Sequence, residues 1–421
     1  MKRSLHILLL AAALSPGLYA QEQFRSHRCG SAEHLEAQLQ QYPDMRQTRE
    51  ELERLTEEYM SHPENARMQG GAITIPVVFH VVYRTSGENI PDQRLLDQLQ
   101  VLNDDYRKLN ADAVNIPSAW QSIAADCEVN FCLAVRDPQG NATTGITRTL
   151  TSTVSFSMNN NVKFTSTGGK DIWDRNKYLN IWVCNLSGGL LGYAQFPGGP
   201  SATDGVVLNY RYVGTTGAQA PYNKGRTATH EVGHWLNLLH IWGDDGGSCS
   251  QSDGATDTPN QGDENYTCHA PGTVITDNCA TSAPGIMWMN YMDYTDDACM
   301  YMFTNNQKTR VQTALNGSRS SILTSNGCTP VSVPELRLAA AFNVYPSPST
   351  GQFTLDLGNS HTQQLELEVF DMLGRSMYHK NFDAITETKL KLDLAALASG
   401  VYFIQADNGT DKVLRKVTIQ K

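Results

Sequence analysis

The stretch HEVGHWLNLLH, residues 230–240, places three histidines and one glutamate within eleven residues, and it constrains the backbone more than any other part of the chain. His230 and His234 are four apart, so on a helix they stand one above the other on one face, with Glu231 beside them. His240 lies six positions beyond His234, and a continuing helix would carry it about 240° around the axis and about 9 Å along it. The helix must therefore end and the chain turn back. Three residues after His234, where a left-handed glycine usually makes such a corner, stands Asn237. Asparagine is among the non-glycine residues that best tolerate that conformation. The stretch predicts a helix, a left-handed corner, and a third imidazole swung back towards the first two.

Such a tripod suits Zn²⁺, because three neutral imidazoles leave a fourth position for water and the metal lowers the pKa of that water towards neutrality. Glu231 is placed to take a proton from it, direct it at a peptide carbonyl and return the proton to the leaving amine. The bland alternative is a helix whose histidines merely pack or cap. Further on comes Met289-Asn290-Tyr291-Met292-Asp293-Tyr294. Met292 suits an apolar floor beneath the metal, and Tyr294 a hydrogen-bond donor to a developing oxyanion. Without the histidines, both would read as ordinary core.

At 421 residues, 40% hydrophobic and 18% charged, the chain is long and apolar enough for two or three globular domains. Its net charge of −10, with no Lys/Arg cluster, argues against nucleic-acid or anionic-membrane partners. Residues 1–20, a basic start followed by an apolar run and small residues, read as a secretory signal rather than a buried helix. No other run is long enough for a transmembrane segment. Residues 31–61 are polar and helix-prone, and residues 21–54 are expected to form a detachable leader.

The expected catalytic domain, 55–330, opens with the apolar strand Ile73–Tyr83, followed by an amphipathic helix from Asp92 to about Leu109 with Leu95, Leu99, Leu102 and Tyr106 on one stripe. Strands are expected at 129–135, 179–184 and 205–210. This order predicts an α/β (α+β) domain with one mixed, twisted sheet beside the histidine-bearing helix. After a Pro330–Pro334 linker, residues 331–421 alternate in short strands and predict a separate all-β sandwich. Nine cysteines in an exported chain suggest disulfides with at least one thiol left over, Cys29 first. Cys249, Cys268, Cys279 and Cys299 crowd a Gly- and Asp-rich segment that crosslinks would hold in shape.

The texts GRTATHEVGHWLNLLHIWGD (225–244), DGATDTP (253–259) and MNYMDYTDDACMYMFT (289–304) resemble the pappalysin family of metzincin metallopeptidases, with weaker agreement at IPVVFHVVY, GYAQFP and DGVVLNY. The resemblance spans about residues 73–320. It implies zinc at His230, His234 and His240, Glu231 as base and acid, Met292 as the Met-turn, and Tyr294 as transition-state support. It also implies the disulfides Cys249–Cys279 and Cys268–Cys299, and calcium at Asp253, Thr256 (through its carbonyl), Thr258 and Glu264. Relatives that cut before arginine carry an acidic residue immediately ahead of the cysteine matching Cys299. Here that place is Ala298, with Asp296 and Asp297 as substitutes.

Arg28-Cys29-Gly30 resembles the cysteine switch of metzincin zymogens, in which a thiolate holds the zinc until the leader is cut; the bland reading is an incidental thiol. Arg46, Arg49 and Arg54 offer cleavage points. The last module, with VYPSPSTGQFTL and KVLRKVTIQK, resembles the C-terminal sorting domain of type IX secretion cargo, which implies the type IX secretion machinery as partner and a secreted or cell-surface location. A carbohydrate- or protein-binding module is the rival for that domain. For the whole chain the expectation is a secreted zinc endopeptidase acting on proteins and peptides and made as a latent zymogen. The alternative is a noncatalytic, zinc-containing adhesin.

Overall fold

The structure is a computed structural model that describes residues 29–62, 71–330, 342–358, 364–409 and 412–421. The signal at 1–20 lies outside the described residues. The chain divides into two compact units, Met1–Pro330 and Val331–Lys421.

In the first unit the apolar run Ile73–Tyr83 forms the central strand β1. Strands β2 (Val129–Leu133), β3 (Ile146–Leu150), β4 (Leu179–Cys184), β5 (Gly192–Ala194) and β6 (Val206–Asn209) complete one sheet in the order β2-β1-β4-β6-β5, with β3 also on β1. All pairings are parallel except β5 against β6, so the sheet is mixed and β5 lies at its edge. Strands covered on both faces read as unbroken apolar runs rather than alternating ones. That is why ITIPVVFHVVY and the wholly buried LNIWVC are legible as strands.

Helices α1 (Ser31–Gln41) and α2 (Asp44–Ser61) precede the sheet, and α3 (Asp92–Tyr106) crosses from β1 to β2, burying Leu95, Leu102 and Tyr106. It stops short of the expected Leu109 because Lys108 takes a left-handed φ of 51° and Leu109 turns out to solvent. Helix α4 (Arg226–Trp235) is buried along its whole length. The Asp297 carboxylate accepts from the Lys224 N–H just ahead of this helix at 2.8 Å and from the Arg226 N–H that opens it at 3.1 Å. Helix α5 (Asn305–Asn316) starts at a Thr304–Gln307 capping box. No helix among the described residues is long and apolar enough to cross a membrane.

Cys249 is bonded to Cys279, Cys268 to Cys299, and Cys132 to Cys328 across 196 residues; Cys29, Cys127 and Cys184 are buried free thiols. The third bond was not anticipated, since nothing in the local text connects positions so far apart.

The second unit is all-β. Strands β9 (Gln364–Asp371), β10 (Ser376–Asp383), β12 (Gly400–Asp407) and β13 (Lys412–Ile419) form one antiparallel sheet, and β7 (Asn343–Tyr345), β8 (Gln352–Asp356) and β11 (Lys389–Asp393) the other. Phe353, Leu355, Leu367, Val369, Ile404 and Val417 lie in its own core.

Candidate metal and catalytic centre

Helix α4 places His230, Glu231 and His234 on its buried length and ends at Trp235. Asn237 then takes φ +72°, with its N–H on the His234 carbonyl at 3.0 Å, while the Leu238 N–H reaches back to the Gly233 carbonyl at 2.9 Å. This left-handed corner returns the chain, and His240 faces the other two histidines. The three Nε2 atoms stand 3.0, 3.1 and 3.2 Å apart.

The outer nitrogens decide what those contacts are. His230 Nδ1 lies 2.8 Å from the Tyr291 carbonyl, His234 Nδ1 2.8 Å from the Leu238 carbonyl, and His240 Nδ1 2.8 and 3.0 Å from the Asp244 carboxylate. Carbonyl and carboxylate oxygens only accept, so each Nδ1 is the donor to its outer partner, and each ring turns its Nε2 inward as the nitrogen left to face a cation. Burial, then His240 and His230, hold His234 well below its ordinary pKa, which keeps it a neutral donor. Three converging lone pairs repel one another unless a cation lies between them. A tetrahedral ion with bonds of about 2.0–2.1 Å has donor–donor edges of about 3.3 Å, close to the spacing here.

Met292 packs beneath α4: a Cβ on Gly233 would meet its Sδ at 2.6 Å. The Tyr294 hydroxyl stands 3.2 Å from His240 Nε2 and donates to the Cys29 carbonyl at 3.4 Å. Trp242 stacks on His240 at 4.3 Å. Asp244 holds the third imidazole from a position that no motif spacing marks.

Cys29, two residues ahead of α1, also reaches this centre. Its Sγ and the three histidine donors lie within 4.8 Å of one another, and Sγ is 3.4 Å from Glu231 Oε2. The segment is held on the sheet edge, where Gly30 N–H donates to the Gly192 carbonyl at 3.0 Å. Ser31 bridges the two sides, its hydroxyl donating to Glu231 Oε2 at 2.7 Å and accepting from Ala194 N–H at 2.7 Å. Burial pushes the Glu231 carboxyl up to about 7, against the Ser31 and Cys29 hydrogen bonds. No sequence pattern pointed to Ser31.

Beside Cys29 a small cavity is lined by Tyr222, Thr227, Tyr294, Asp297 and Met300; Asp297, not Ala298, faces it. Arg46, Arg49 and Arg54 all lie within α2. Of the residues expected around calcium, Asp253 accepts from Thr258 Oγ1 at 2.7 Å and from Ala255 N–H at 3.0 Å. The Thr256 hydroxyl accepts from Asn306 at 2.7 Å and the Glu264 carboxylate from Tyr266 at 2.8 Å.

Comparison with known proteins agrees with this centre. The family described as "Pregnancy-associated plasma protein-A" matches residues 164–316, and the "Secretion system C-terminal sorting domain" matches residues 343–420. An extracellular metalloprotease from Podospora anserina is 31% identical over 318 residues, 72% of this chain and 94% of that protein. Mature mirolysin from Tannerella forsythia, solved with a cleaved peptide, is 51% identical with a TM-score of 0.60, over 62% of this chain and 99% of that one. A promirolysin mutant from the same organism is 46% identical with a TM-score of 0.62, over 72% of this chain and 99% of that one. The chain belongs to the pappalysin family of metzincin metalloproteases and is an extracellular enzyme with a C-terminal secretion sorting domain.

Proposed function

We propose that the chain is a latent zinc endopeptidase that hydrolyses peptide bonds in proteins and peptides once its leader is removed. The observation that carries this reading is the inward convergence of three Nε2 atoms on rings whose outer nitrogens are all engaged. His230, His234 and His240 would hold zinc, Asn237 would form the corner and Met292 the floor. When bound, the ion supplies Lewis-acid polarisation of the attacking water and the scissile carbonyl.

Glu231 takes the proton of the attacking water and hands it to the leaving nitrogen. Tyr294 donates its hydroxyl to the oxygen on which negative charge develops. In the latent chain Cys29 would be the fourth ligand. Supporting this is its thiol among the imidazoles, while Ser31 engages Glu231, so both the metal position and the base are covered by the same short segment.

The segments proposed are a signal at 1–20, a leader at 21–54, the catalytic domain at 55–330 and the sorting domain at 331–421, the last handing the chain to a type IX secretion machinery. A preference for arginine after the scissile bond would rest on Asp297, one of the residues that line the cavity beside Cys29. Calcium held by Asp253, the Thr256 carbonyl, Thr258 and Glu264 completes the proposal, supported by the hard oxygen donors of that loop.

Glu231→Gln tests the assignment. Casein cleavage by the activated variant is expected to vanish while bound zinc stays near about one per chain; proteolysis at the wild-type rate would refute the role of Glu231.

A further inference from the structure

We infer that the corner at Asn237 is also a socket for the leader, gripped by Arg49 and Glu53 through contacts that do not involve the metal. This rests on the reading of residues 21–54 as leader. Arg49 and Glu53 lie one turn apart on α2, so both side chains leave the same face. Arg49 Nη1 donates to Asn237 Oδ1 at 3.3 Å, and Asn237 Nδ2 donates to Glu53 Oε1 at 3.2 Å. The amide of the corner residue is thus used at both ends. Glu53 also takes a two-pronged pair from Arg310, Nη1 to Oε2 and Nη2 to Oε1 at 2.7 Å each, while Arg310 Nε donates to the Asn237 carbonyl at 3.2 Å. The Arg49 guanidinium lies 4.9 Å from the centre of the Phe196 ring, which itself packs 5.1 Å from His234.

These contacts account for the departure from glycine. At φ +72° glycine would be the easier residue, but it would offer Arg49 and Glu53 no side chain. Asparagine tolerates the same backbone and adds one donor and one acceptor.

Arg310 explains the strength of the grip. Its side chain is 1% exposed, and a guanidinium buried to that degree is poorly served without a carboxylate. A cut after residue 54 leaves Arg49 and Glu53 on the leader side. The released leader carries the helix-borne carboxylate that Arg310 pairs with here, and is the ligand that fits the socket. The leader has two separate holds: Cys29 and Ser31 at the metal, Arg49 and Glu53 at the corner.

The test uses a labelled synthetic peptide of residues 29–54 titrated onto the activated enzyme, zinc-loaded and chelator-treated, with binding read by fluorescence anisotropy. Because the key change sits in the peptide, it cannot unfold the enzyme. Glu53→Gln in the peptide is expected to weaken binding on the order of 30-fold in both forms, the lower end of what losing one partner of an interfacial charge pair costs, since Glu53 is 36% exposed, whereas Cys29→Ser weakens binding to the zinc-loaded form alone. Asn237→Gly in the enzyme should lower wild-type peptide affinity, and combining it with Arg49→Met in the peptide should lower it little further. Equal affinity for the Glu53→Gln and wild-type peptides would overturn the socket. A wild-type peptide that binds neither form would overturn the leader reading itself, and the socket with it.

Discussion

His34, on α1, shows how a single residue can couple the proposed leader to its surroundings. Its ring is buried 5.1 Å from Tyr193, its Nε2 has no hydrogen-bond partner, and burial with Lys163 nearby lowers its pKa to about 3. A free leader histidine titrates near about 6.5, so between the two values the released form binds more protons than the docked one. Docking is therefore strongest above the free value and weakens as pH falls through it. From pH 6 to pH 5 the share of His34 in the dissociation constant of the leader peptide is expected to rise about eightfold, a share that a His34→Gln peptide loses. Identical slopes for the two peptides would contradict the burial argument. At this scale the zinc-motif histidines and Glu231 were legible because their spacing has one geometric solution. Ser31, Glu53 and Asp244 were not, because each acts across a contact that spacing along the chain does not encode.

Among the elements, α4 and the turn beneath it depend on close approach. Gly233 in a helix interior costs about 0.5–1 kcal/mol relative to alanine, yet an added Cβ would stand 2.6 Å from Met292 Sδ in a fully buried site. Overpacking of that kind costs about 1–3 kcal/mol, so it outweighs the gain in propensity. Gly233→Ala is expected to lower the melting temperature of the first unit, and a rise would show the packing to be loose. The same physics sets what could be read beforehand. Strands β1 and β4 are continuous apolar runs and stood out, whereas β3 and β5 are short and belong to the sheet only through their partners. Helix α3 was overextended because the apolar stripe continues to Leu109 while the backbone turns at Lys108.

For the whole molecule, the two units have separate cores, and the Cys132–Cys328 bond lies within the first. Closing so long a loop restricts the unfolded chain, with an effect of about 2–5 kcal/mol. Calorimetry of Cys328→Ser is expected to show the first unit melting earlier and the second unchanged; a shift of both transitions would contradict independent cores. The central claim is that one tripod serves two states, closed by the Cys29 sulfur before activation and open to water after it. X-ray absorption at the zinc edge, on the latent chain and on the activated enzyme, tests this most directly. The expected result is three nitrogen ligands and one sulfur at about 2.3 Å in the latent chain, with the sulfur replaced by oxygen after activation. A latent form without sulfur, or an active form that keeps a fourth protein ligand, would contradict it.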